Sequence, residues 1–279
     1  MRLFAATLGL LTAAPSFAAA AQCDLPLGRR ASVARVLDGE TLQLADGAKV
    51  RLLGIVAPRR PPWWRKPEPW PAAEAARKAL AALAEGRSVS LHFDGLKVDR
   101  RGRALAQVFS GDGADRLWLQ GRLVAAGRVR VYAFADNQAC ASALLGLEQA
   151  ARAKKKGLWR LSPYDVLAAD GPDAVDKRRQ TLQIVEGRVA SVGRTQRWWF
   201  LNFGKDWKED FTAAIAAPDV QAFARAGIDL DGLKGARVRL RGWIERWNGP
   251  AIKLTHPGQL EILQPAPVPA KETATLGGE

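Results

Sequence analysis

Two Asp-Gly pairs divide the stretch from residue 31 to residue 56 into three short runs in which apolar and polar residues alternate. The pairs are Asp38-Gly39 and Asp46-Gly47. Asp-Gly between alternating runs is a strong signal for a tight β-hairpin turn. The stretch therefore predicts a three-stranded meander. The proline-rich segment 58–71 that follows cannot join the interior of a sheet.

The next segments alternate between helical and strand periodicity. Apolar spacing of three and four predicts a helix over 72–86 that ends at Gly86. We expect strands at 88–93, 103–109 and 128–132, a short helix at 117–127 and an amphipathic helix at 140–156.

A second unit, residues 181–263, repeats this order. Three strands precede a helix, and a turn containing glycine then leads into a basic alternating strand. We expect strands at 183–193, 197–204, 210–216, 236–246, 250–256 and 259–263, and a helix at 217–227. A helix between the third and fourth strands is typical of an OB-type barrel. The predicted fold class is mainly β with α, with two five-stranded OB-type barrels in tandem.

The chain begins with a basic residue, an apolar run and a series of small residues, which is typical of a secretory signal peptide. The alternative is a membrane anchor, but the run is short for a spanning helix. We therefore expect export to the periplasm or the medium, without stable membrane insertion. The predicted domains are a signal peptide (1–21), a first barrel (22–160), a linker (161–180), a second barrel (181–264) and a disordered tail (265–279).

The chain has two cysteines, Cys23 and Cys140. In an oxidising compartment an even pair is usually bonded, so we expect one disulfide. The alternative is two free buried thiols.

Positive charge is concentrated in the first unit. The formal net charge of the whole chain is +14, and residues 22–160 hold 25 Lys and Arg against 13 Asp and Glu. Such a field favours DNA, RNA or another anionic polymer. The alternative is that the charge serves only solubility. The sequence contains no nucleophile elbow, phosphate loop, dinucleotide fingerprint or zinc-ligand spacing, which argues against those classes of enzyme. No pattern indicates an oligomeric state.

Four motifs occur in a particular order: VLDGETLQL (36–44), VRLLGIVAP (50–58), DRRGRALAQVF (99–109) and EQAARAKKKGLW (148–159). Over residues 31–160 this order and spacing resemble the thermonuclease, or staphylococcal-nuclease-like, family. The resemblance implies an OB-type barrel that cleaves phosphodiester bonds of DNA or RNA with Ca²⁺.

The resemblance assigns two arginines, Arg51 and Arg103, to the phosphate. It assigns Glu40 to the metal, where the family has Asp, with Asp38 in the same turn. The second metal-binding acid of the family falls on Val56, and its general base falls on Arg59. We expect the two arginines and the two acids to share one concave face, with Arg59 at its edge. Arg51 and Arg103 would otherwise be an ordinary strand residue and an ordinary turn residue.

A cation at Arg59 opposes a nearby metal ion. At about 5 Å and an effective dielectric constant near 20, the repulsion costs several kcal/mol. Asp38 and Glu40 are therefore expected to hold Ca²⁺ weakly or not at all, and Arg59 can instead act as a fixed positive charge. Glu68 or Glu74 would have to replace the lost base. Otherwise Glu68 is solvated and Glu74 belongs to the first turn of its helix.

The proline-rich loop interleaves cations with indoles. Arg59, Arg60, Trp63, Trp64 and Arg65 are candidates for binding nucleic acid, by stacking on bases and contacting phosphates. The alternative is that the tryptophans pin the loop to the barrel. The second unit carries five further tryptophans between 198 and 247, which fit either a stacking platform or a structural core.

Three hypotheses about function follow. The first is an exported, divergent phosphodiesterase, an endonuclease with weak or altered metal dependence. The second is a module that binds nucleic acid or another polyanion without turnover, because the acids at positions 56 and 59 are missing. The third is an envelope scaffold. A fold resemblance alone does not establish a reaction.

Overall fold

The computed structural model describes residues 23–267 of the 279-residue chain. The predicted signal peptide, and the predicted tail from residue 268 onward, lie outside the described residues. In the described part, no helix is both long enough and apolar enough to cross a bilayer.

The first half of the chain forms eight strands and three helices. They are β1 (Leu27–Asp38), β2 (Thr41–Leu44), β3 (Lys49–Leu52), β4 (Ile55–Val56), α1 (Pro71–Ala84), β5 (Ser88–His92), β6 (Ala104–Ser110), β7 (Leu117–Trp118), α2 (Leu119–Ala125), β8 (Arg130–Val131) and α3 (Ala141–Ala153).

Five of these strands close into a ring. β1 pairs with β2, and β2 with β3, in antiparallel fashion through the two Asp-Gly turns. β3 then pairs with β6 in parallel, and β6 pairs back through β5 to β1. The ring is filled by alternating apolar side chains such as Leu42, Val50 and Leu91, and Leu80 of α1 packs against them. This closed five-stranded barrel confirms the predicted fold class for the first unit.

The third strand is shorter than predicted. It ends at Leu52, because Gly54 takes a left-handed conformation with φ +77° and turns the chain away from the barrel. Ile55 and Val56 then pair with β8 in a separate two-stranded sheet. The apolar run alone does not reveal this break, since both halves of the run are buried.

The second half of the chain forms eight strands and two short helices. They are β9 (Leu167–Ala168), α4 (Pro172–Asp176), β10 (Leu182–Arg188), β11 (Ser191–Arg194), β12 (Trp198–Asn202), β13 (Thr212–Ala216), α5 (Val220–Arg225), β14 (Arg237–Arg246), β15 (Pro250–Leu254) and β16 (Leu260–Gln264).

These strands pair in the same order as those of the first barrel. β10 and β11 act as one bent first strand, which pairs with β12, and β12 pairs with β13. β13 and β15 are parallel, and β15 pairs through β14 to β10, which closes the ring. β16 adds a further strand beside β14. The second sheet domain is thus present, with the predicted helix between its third and fourth strands.

The segment 161–180 is folded, although we expected a linker. β9 pairs in parallel with β10, and α4 packs beside β14 and β15. Tyr164 and Val175 are buried. Single buried residues separated by polar ones give no periodic signal, which is why the sequence pattern misses this segment.

A buried ion pair joins the two barrels. Nη1 of Arg241 on β14 lies 2.9 Å from Oε2 of Glu148 on α3, and both side chains are almost fully buried. Nη1 of Arg241 also donates to the carbonyl oxygen of Val131, and the other oxygen of Glu148 accepts from the Val131 N–H. Nη2 of Arg241 lies 3.0 Å from the Glu261 carboxylate. Burial opposes the charge on Arg241, but the two carboxylates outweigh it and raise the pKa of Arg241.

Two further contacts cross the same boundary. Arg130 donates to the carbonyl oxygen of Leu182, and Nε2 of His256 donates to that of Ala133 at 3.0 Å. Burial lowers the pKa of His256, so the ring is neutral at physiological pH. The backbone contacts from Arg241, Leu182 and His256 fall on residues 130–133, and the Arg241 ion pair adds Glu148 of α3, so the second barrel is held against two neighbouring parts of the first.

The two cysteines, Cys23 and Cys140, form a disulfide. The bond ties a residue four positions before β1 to the N-terminus of α3, and it joins positions separated by 117 in the sequence. Both cysteines belong to the core of the first barrel.

Removing one partner of the buried pair should destabilise the protein strongly. Arg241→Met leaves Glu148 buried with Arg152, 3.7 Å from its Oε2, as its remaining cation, so the cost should approach the about 3–5 kcal/mol of unfolding free energy that is typical of breaking a buried ion pair. Arg237→Met on the same strand is the matched control, because Arg237 is half-exposed and its ion pair with Glu186 is worth about 1 kcal/mol or less. Denaturant unfolding measures both. A cost for Arg241→Met no larger than that of the control would contradict the assignment.

Candidate active site

The register of the first barrel brings Arg51 and Arg103 together. Arg51 on β3 pairs with Leu105 on the parallel strand β6. Arg103 precedes Leu105 by two residues, and residues two apart in an extended chain face the same side. Both predicted arginines line one cavity of about 480 Å³.

The guanidinium of Arg103 is held by Asp99, which sequence reasoning missed. The Arg103 Nε donates to Oδ2 of Asp99 at 2.8 Å, while Oδ1 accepts from the backbone N–H groups of Arg101 and Arg103. Burial opposes ionisation of Asp99, but these hydrogen bonds outweigh it and lower the pKa of the carboxyl. An Asp at the start of the DRRGR turn was the available signal, since Asp side chains commonly bond to backbone two residues on.

Arg51 is more deeply placed than Arg103. Its guanidinium lies 5.2 Å from the centre of the Phe134 ring, and its Nε is buried without a hydrogen-bond partner among the described residues. Burial lowers the pKa of Arg51, and the negative charge of Glu40 opposes that shift. The group nevertheless stays charged at neutral pH, because a guanidinium holds its proton there.

The cavity carries an excess of positive charge. Among its lining residues are five arginines and two aspartates: Arg51, Arg59, Arg100, Arg101, Arg103, Asp99 and Asp136. One of the aspartates, Asp99, is already bonded to Arg103. Aromatic and apolar side chains form the remaining wall, among them Leu96, Tyr132, Phe134 and Trp243. A cleft lined by one sign of charge concentrates ligands of the opposite sign.

Glu40 lies beneath this cavity and is fully engaged. Its Oε2 accepts a hydrogen bond from the Ala57 N–H at 2.7 Å. Its Oε1 accepts one from Arg59 Nη2 at 3.2 Å and lies 3.6 Å from Arg51 Nε. The residue is 4% exposed and is not among those that line the cavity. Arg59 thus sits against the carboxylate that the family resemblance assigns to the metal.

Asp38 does not join the other candidate residues. Its Oδ1 accepts from the Glu40 N–H at 2.8 Å, which closes the Asp-Gly turn between β1 and β2. The residue is exposed and lies outside the cavity lining. The expectation that both acids share the arginines' face is therefore wrong for Asp38, because its side chain satisfies the turn.

The residues present do not fit a Ca²⁺ ion. A hard dication needs several free oxygen ligands, usually from two or three carboxylates. Both oxygens of Glu40 are already paired, Asp38 caps its turn, and Val56 offers no ligand. Within residues 23–267 there is no group of three or more His, Cys, Asp and Glu side chains that could hold a metal ion. The proposed pair of metal ligands, Asp38 and Glu40, is corrected accordingly.

Neither acid proposed as a substitute base reaches the cavity. Glu74 is paired with Arg77 and Lys78 on its own helix, α1, and hydrogen bonds from Arg77 lower its pKa. Glu68 is exposed in the proline-rich loop, where its carbonyl oxygen accepts from Trp64 Nε1. Asp136, which the sequence analysis did not single out, is exposed and lines the cavity.

The proline-rich loop is mostly bound to itself. Arg60 donates to the carbonyl oxygens of Trp64 and Lys66, and Trp64 packs edge to face on Trp70 at 4.9 Å. Arg65 is exposed, and Trp63 is partly exposed beneath the guanidinium of Arg178. These contacts favour the pinning alternative for Trp64 and Arg60, while Trp63 and Arg65 face solvent.

A second cavity of about 200 Å³ adjoins the first, between the two barrels. Val56, Arg59 and Trp243 line both cavities, and the Arg59 guanidinium lies 6.0 Å from the centre of the Trp243 ring. Trp243 belongs to β14 of the second barrel. Its place beside Arg59 depends on docking between the barrels, which no local sequence pattern indicates.

Comparison with known proteins agrees with this geometry. Residues 49–161 match the family described as staphylococcal nuclease homologue. Two relatives, each named "Uncharacterized endonuclease", from Escherichia coli O157:H7 and from Escherichia coli, are 31% identical to the chain over 130 residues. The match covers 46% of this chain and 74% of each relative. The second barrel lies outside the family match. Through its first barrel, the chain belongs to the staphylococcal nuclease family.

Proposed function

We propose that the first barrel binds a phosphodiester of DNA or RNA with Arg51 and Arg103, and that it hydrolyses this bond only weakly. Family membership supports a nuclease-like function. The observation that carries the proposal is the pairing of Arg59 with Glu40, which puts a guanidinium against the acid that would otherwise hold a metal.

Arg103 and Arg51 are each prepared for binding an anion, but in different ways. Arg103 is held rigidly by Asp99, so little side-chain entropy is lost when its remaining N–H groups bind an anion. Arg51 is almost buried, so its charge acts through a medium of lower dielectric constant than water. Two fixed guanidinium groups on one wall bind phosphate oxygens with charge-assisted hydrogen bonds, and they stabilise the charge that grows there during hydrolysis.

We expect weak turnover because the attack of a water molecule requires a general base. A general base must lie within hydrogen-bond reach of the water and be free to accept a proton. Glu40 is engaged by Ala57 and Arg59, and Asp99 by Arg103. Of the acids that line the cavity this leaves Asp136, which is exposed to solvent. Arg59 supplies positive charge but no base, since a guanidinium does not deprotonate at physiological pH.

We also propose that the protein is exported to the periplasm or the medium. The composition of residues 1–21 supports a signal peptide. The Cys23–Cys140 disulfide supports an oxidising compartment, because such bonds are rare where thiols are kept reduced.

Loss of Arg51 or Arg103 should weaken the binding of a single-stranded oligonucleotide, and it should also make that binding less dependent on salt. Arg103→Ala or Arg51→Ala removes one phosphate contact, which should lower the slope of log affinity against log salt by about 1. The activation free energy of any turnover should rise by about 3 kcal/mol, the usual value of one such donor, so the rate should fall. Arg122→Ala, an exposed charge on α2, is the matched control. A salt slope unchanged by Arg103→Ala and Arg51→Ala would contradict the proposed phosphate site.

Restoring the missing acids should create a metal site. The double change Val56→Asp with Arg59→Glu returns a ligand and a base, and it frees Glu40 from its competing cation. We expect Ca²⁺ affinity by calorimetry and nuclease activity both to rise. The isosteric pair Val56→Asn with Arg59→Gln removes the same cation without adding carboxylates, and it should gain neither. Wild-type cleavage that the acidic pair does not improve, and that Asp136→Asn abolishes, would identify Asp136 as the base instead.

When the full chain is expressed in a bacterial host, the protein should be recovered from the periplasm or the medium and should carry no free thiol. We expect its N-terminus to fall near residue 22, after the small residues of the predicted cleavage region. Intact-mass measurement with and without a thiol-alkylating reagent tests both points at once. Two alkylated cysteines, or an N-terminus at residue 1, would contradict export.

A further inference from the structure

The second barrel carries an open groove that the first barrel's chemistry does not use. The groove has a volume of about 330 Å³ and lies over β12, β13 and β15. Its most prominent side chains are two indoles, Trp207 with 58% of its surface exposed and Trp247 with 40%. Two large exposed indoles that line one groove are a feature of binding surfaces.

Strand register explains why this surface is concave. On β12, Leu201 packs into the core, so the alternate residues Trp198, Phe200 and Asn202 face outward. The residues paired with the two outward aromatic ones on β13 are alanines, Ala216 and Ala214. β15 continues the low floor with Ala251, which pairs with Thr212 of β13. Large side chains on β12 beside small ones on β13 and at Ala251 of β15 leave a trough, and Lys253 of β15 stands at its edge.

The loops at the ends of these strands build the walls. Trp247, in the turn between β14 and β15, packs edge to face on Trp198 with ring centres 4.7 Å apart. Trp207, in the loop between β12 and β13, stands across the trough. The two loops touch closely at Gly249, where a Cβ atom would lie 2.4 Å from the Glu209 carbonyl oxygen. The backbones of the two loops that carry Trp207 and Trp247 are therefore held together, and Trp247 is also fixed by its contact with Trp198.

Ammonium groups lie beside both walls. Lys253 Nζ lies 5.3 Å from the centre of the Trp198 ring, and Lys208 Nζ lies 5.8 Å from that of Trp207. Two acids of the same loop, Asp206 and Asp210, accept hydrogen bonds from loop backbone N–H groups, whereas Glu209 is exposed. Indoles with adjacent cations suit a ligand that alternates flat apolar rings with negative charges.

We propose that this groove binds single-stranded nucleic acid, with bases stacked on Trp207 and Trp247 and phosphates near Lys208 and Lys253. Stacking on aromatic side chains combined with cations that follow the backbone is the general chemistry of single-strand recognition. A duplex hides the faces of its bases, so a double-stranded ligand fits the groove poorly. A neutral glycan would gain nothing from the ammonium groups. The choice of nucleic acid as the occupant rests on the function proposed for the first barrel.

The groove and the arginine cavity lie close along one strand. Trp243 of β14 lines the cavity, and Trp247 follows it by four residues, about 13 Å in an extended chain. A single strand gripped by Arg51 and Arg103 can thus continue toward the second barrel. The second barrel extends the binding site for the strand beyond the phosphate at which the first barrel acts.

The test is binding of a fluorescent 12-residue oligothymidylate to the mature chain in the presence of a chelator, followed by anisotropy. Trp207→Ala and Trp247→Ala should each weaken binding about 5- to 150-fold, the equivalent of 1–3 kcal/mol for one stacked base. Trp247→Phe should recover most of the affinity. Ile262→Ala on β16, an exposed apolar residue of the same barrel, is the control and should have no effect. Trp207→Ala removes a largely exposed side chain, so it keeps the test valid if Trp247→Ala fails to fold.

Binding within twofold of wild type for Trp207→Ala would overturn the proposal, as would an equal loss in Ile262→Ala. A chitin hexasaccharide that binds the wild type and is lost in the tryptophan variants, while oligothymidylate binding is unchanged, would overturn it in favour of a glycan. The same measurement separates the two proposals. If the tryptophan variants lose affinity for oligothymidylate and Arg103→Ala does not, the groove is supported and the phosphate site is rejected. If only Arg103→Ala loses affinity, the groove is rejected and the phosphate site is supported.

Discussion

The geometry of both barrels depends on the buried pair of Glu148 and Arg241. Removing two charges from water is costly, and the cost is offset here because Glu261 and the backbone of Val131 complete the partners of the pair. Val131 is also the strand partner of Ile55, which leads directly to the Ala57 N–H that holds Glu40. The same contact that docks the second barrel therefore fixes β4, which leads to Ala57 and Arg59, and it carries Trp243 to the cavity wall.

A guanidinium in the position of a metal ion changes what the site can do. It neutralises Glu40 and attracts phosphate, as a cation would, and it needs no ligand set beyond one carboxylate. It cannot carry a bound water or lower the pKa of that water, which is the contribution that makes a metal ion catalytic in hydrolysis. In the site as proposed, this exchange would preserve phosphate recognition more fully than turnover, and phosphate binding would then not require a divalent ion.

Local signals in the sequence were enough to predict much of the fold. The two Asp-Gly turns set the meander, and the helix after the third strand indicated the OB-type topology of both barrels. The family resemblance and its motif order predicted that Arg51 and Arg103 meet, and the parallel pairing of β3 with β6 is what brings them together. The remainder depends on contacts between residues that are distant in sequence. Asp38 was misassigned because a carboxylate in a tight turn serves the backbone as readily as a metal. Glu148 and Trp243 carried no signal, since an acid on a helix and an indole on a strand become functional only when the second barrel docks.

The disulfide closes most of the first barrel into one covalent loop. Cys23 and Cys140 are separated by 117 in the sequence, and their bond makes the chain between them a closed loop. The second barrel follows this loop in the chain. The exposed proline-rich segment is part of this loop. A protease that cuts the segment opens the ring but releases no fragment, because both new ends remain tethered through the sulfur atoms. The ring thus protects an exposed loop beside the cavity from the usual consequence of a single cut, and only a reductant acting with the protease would separate the pieces.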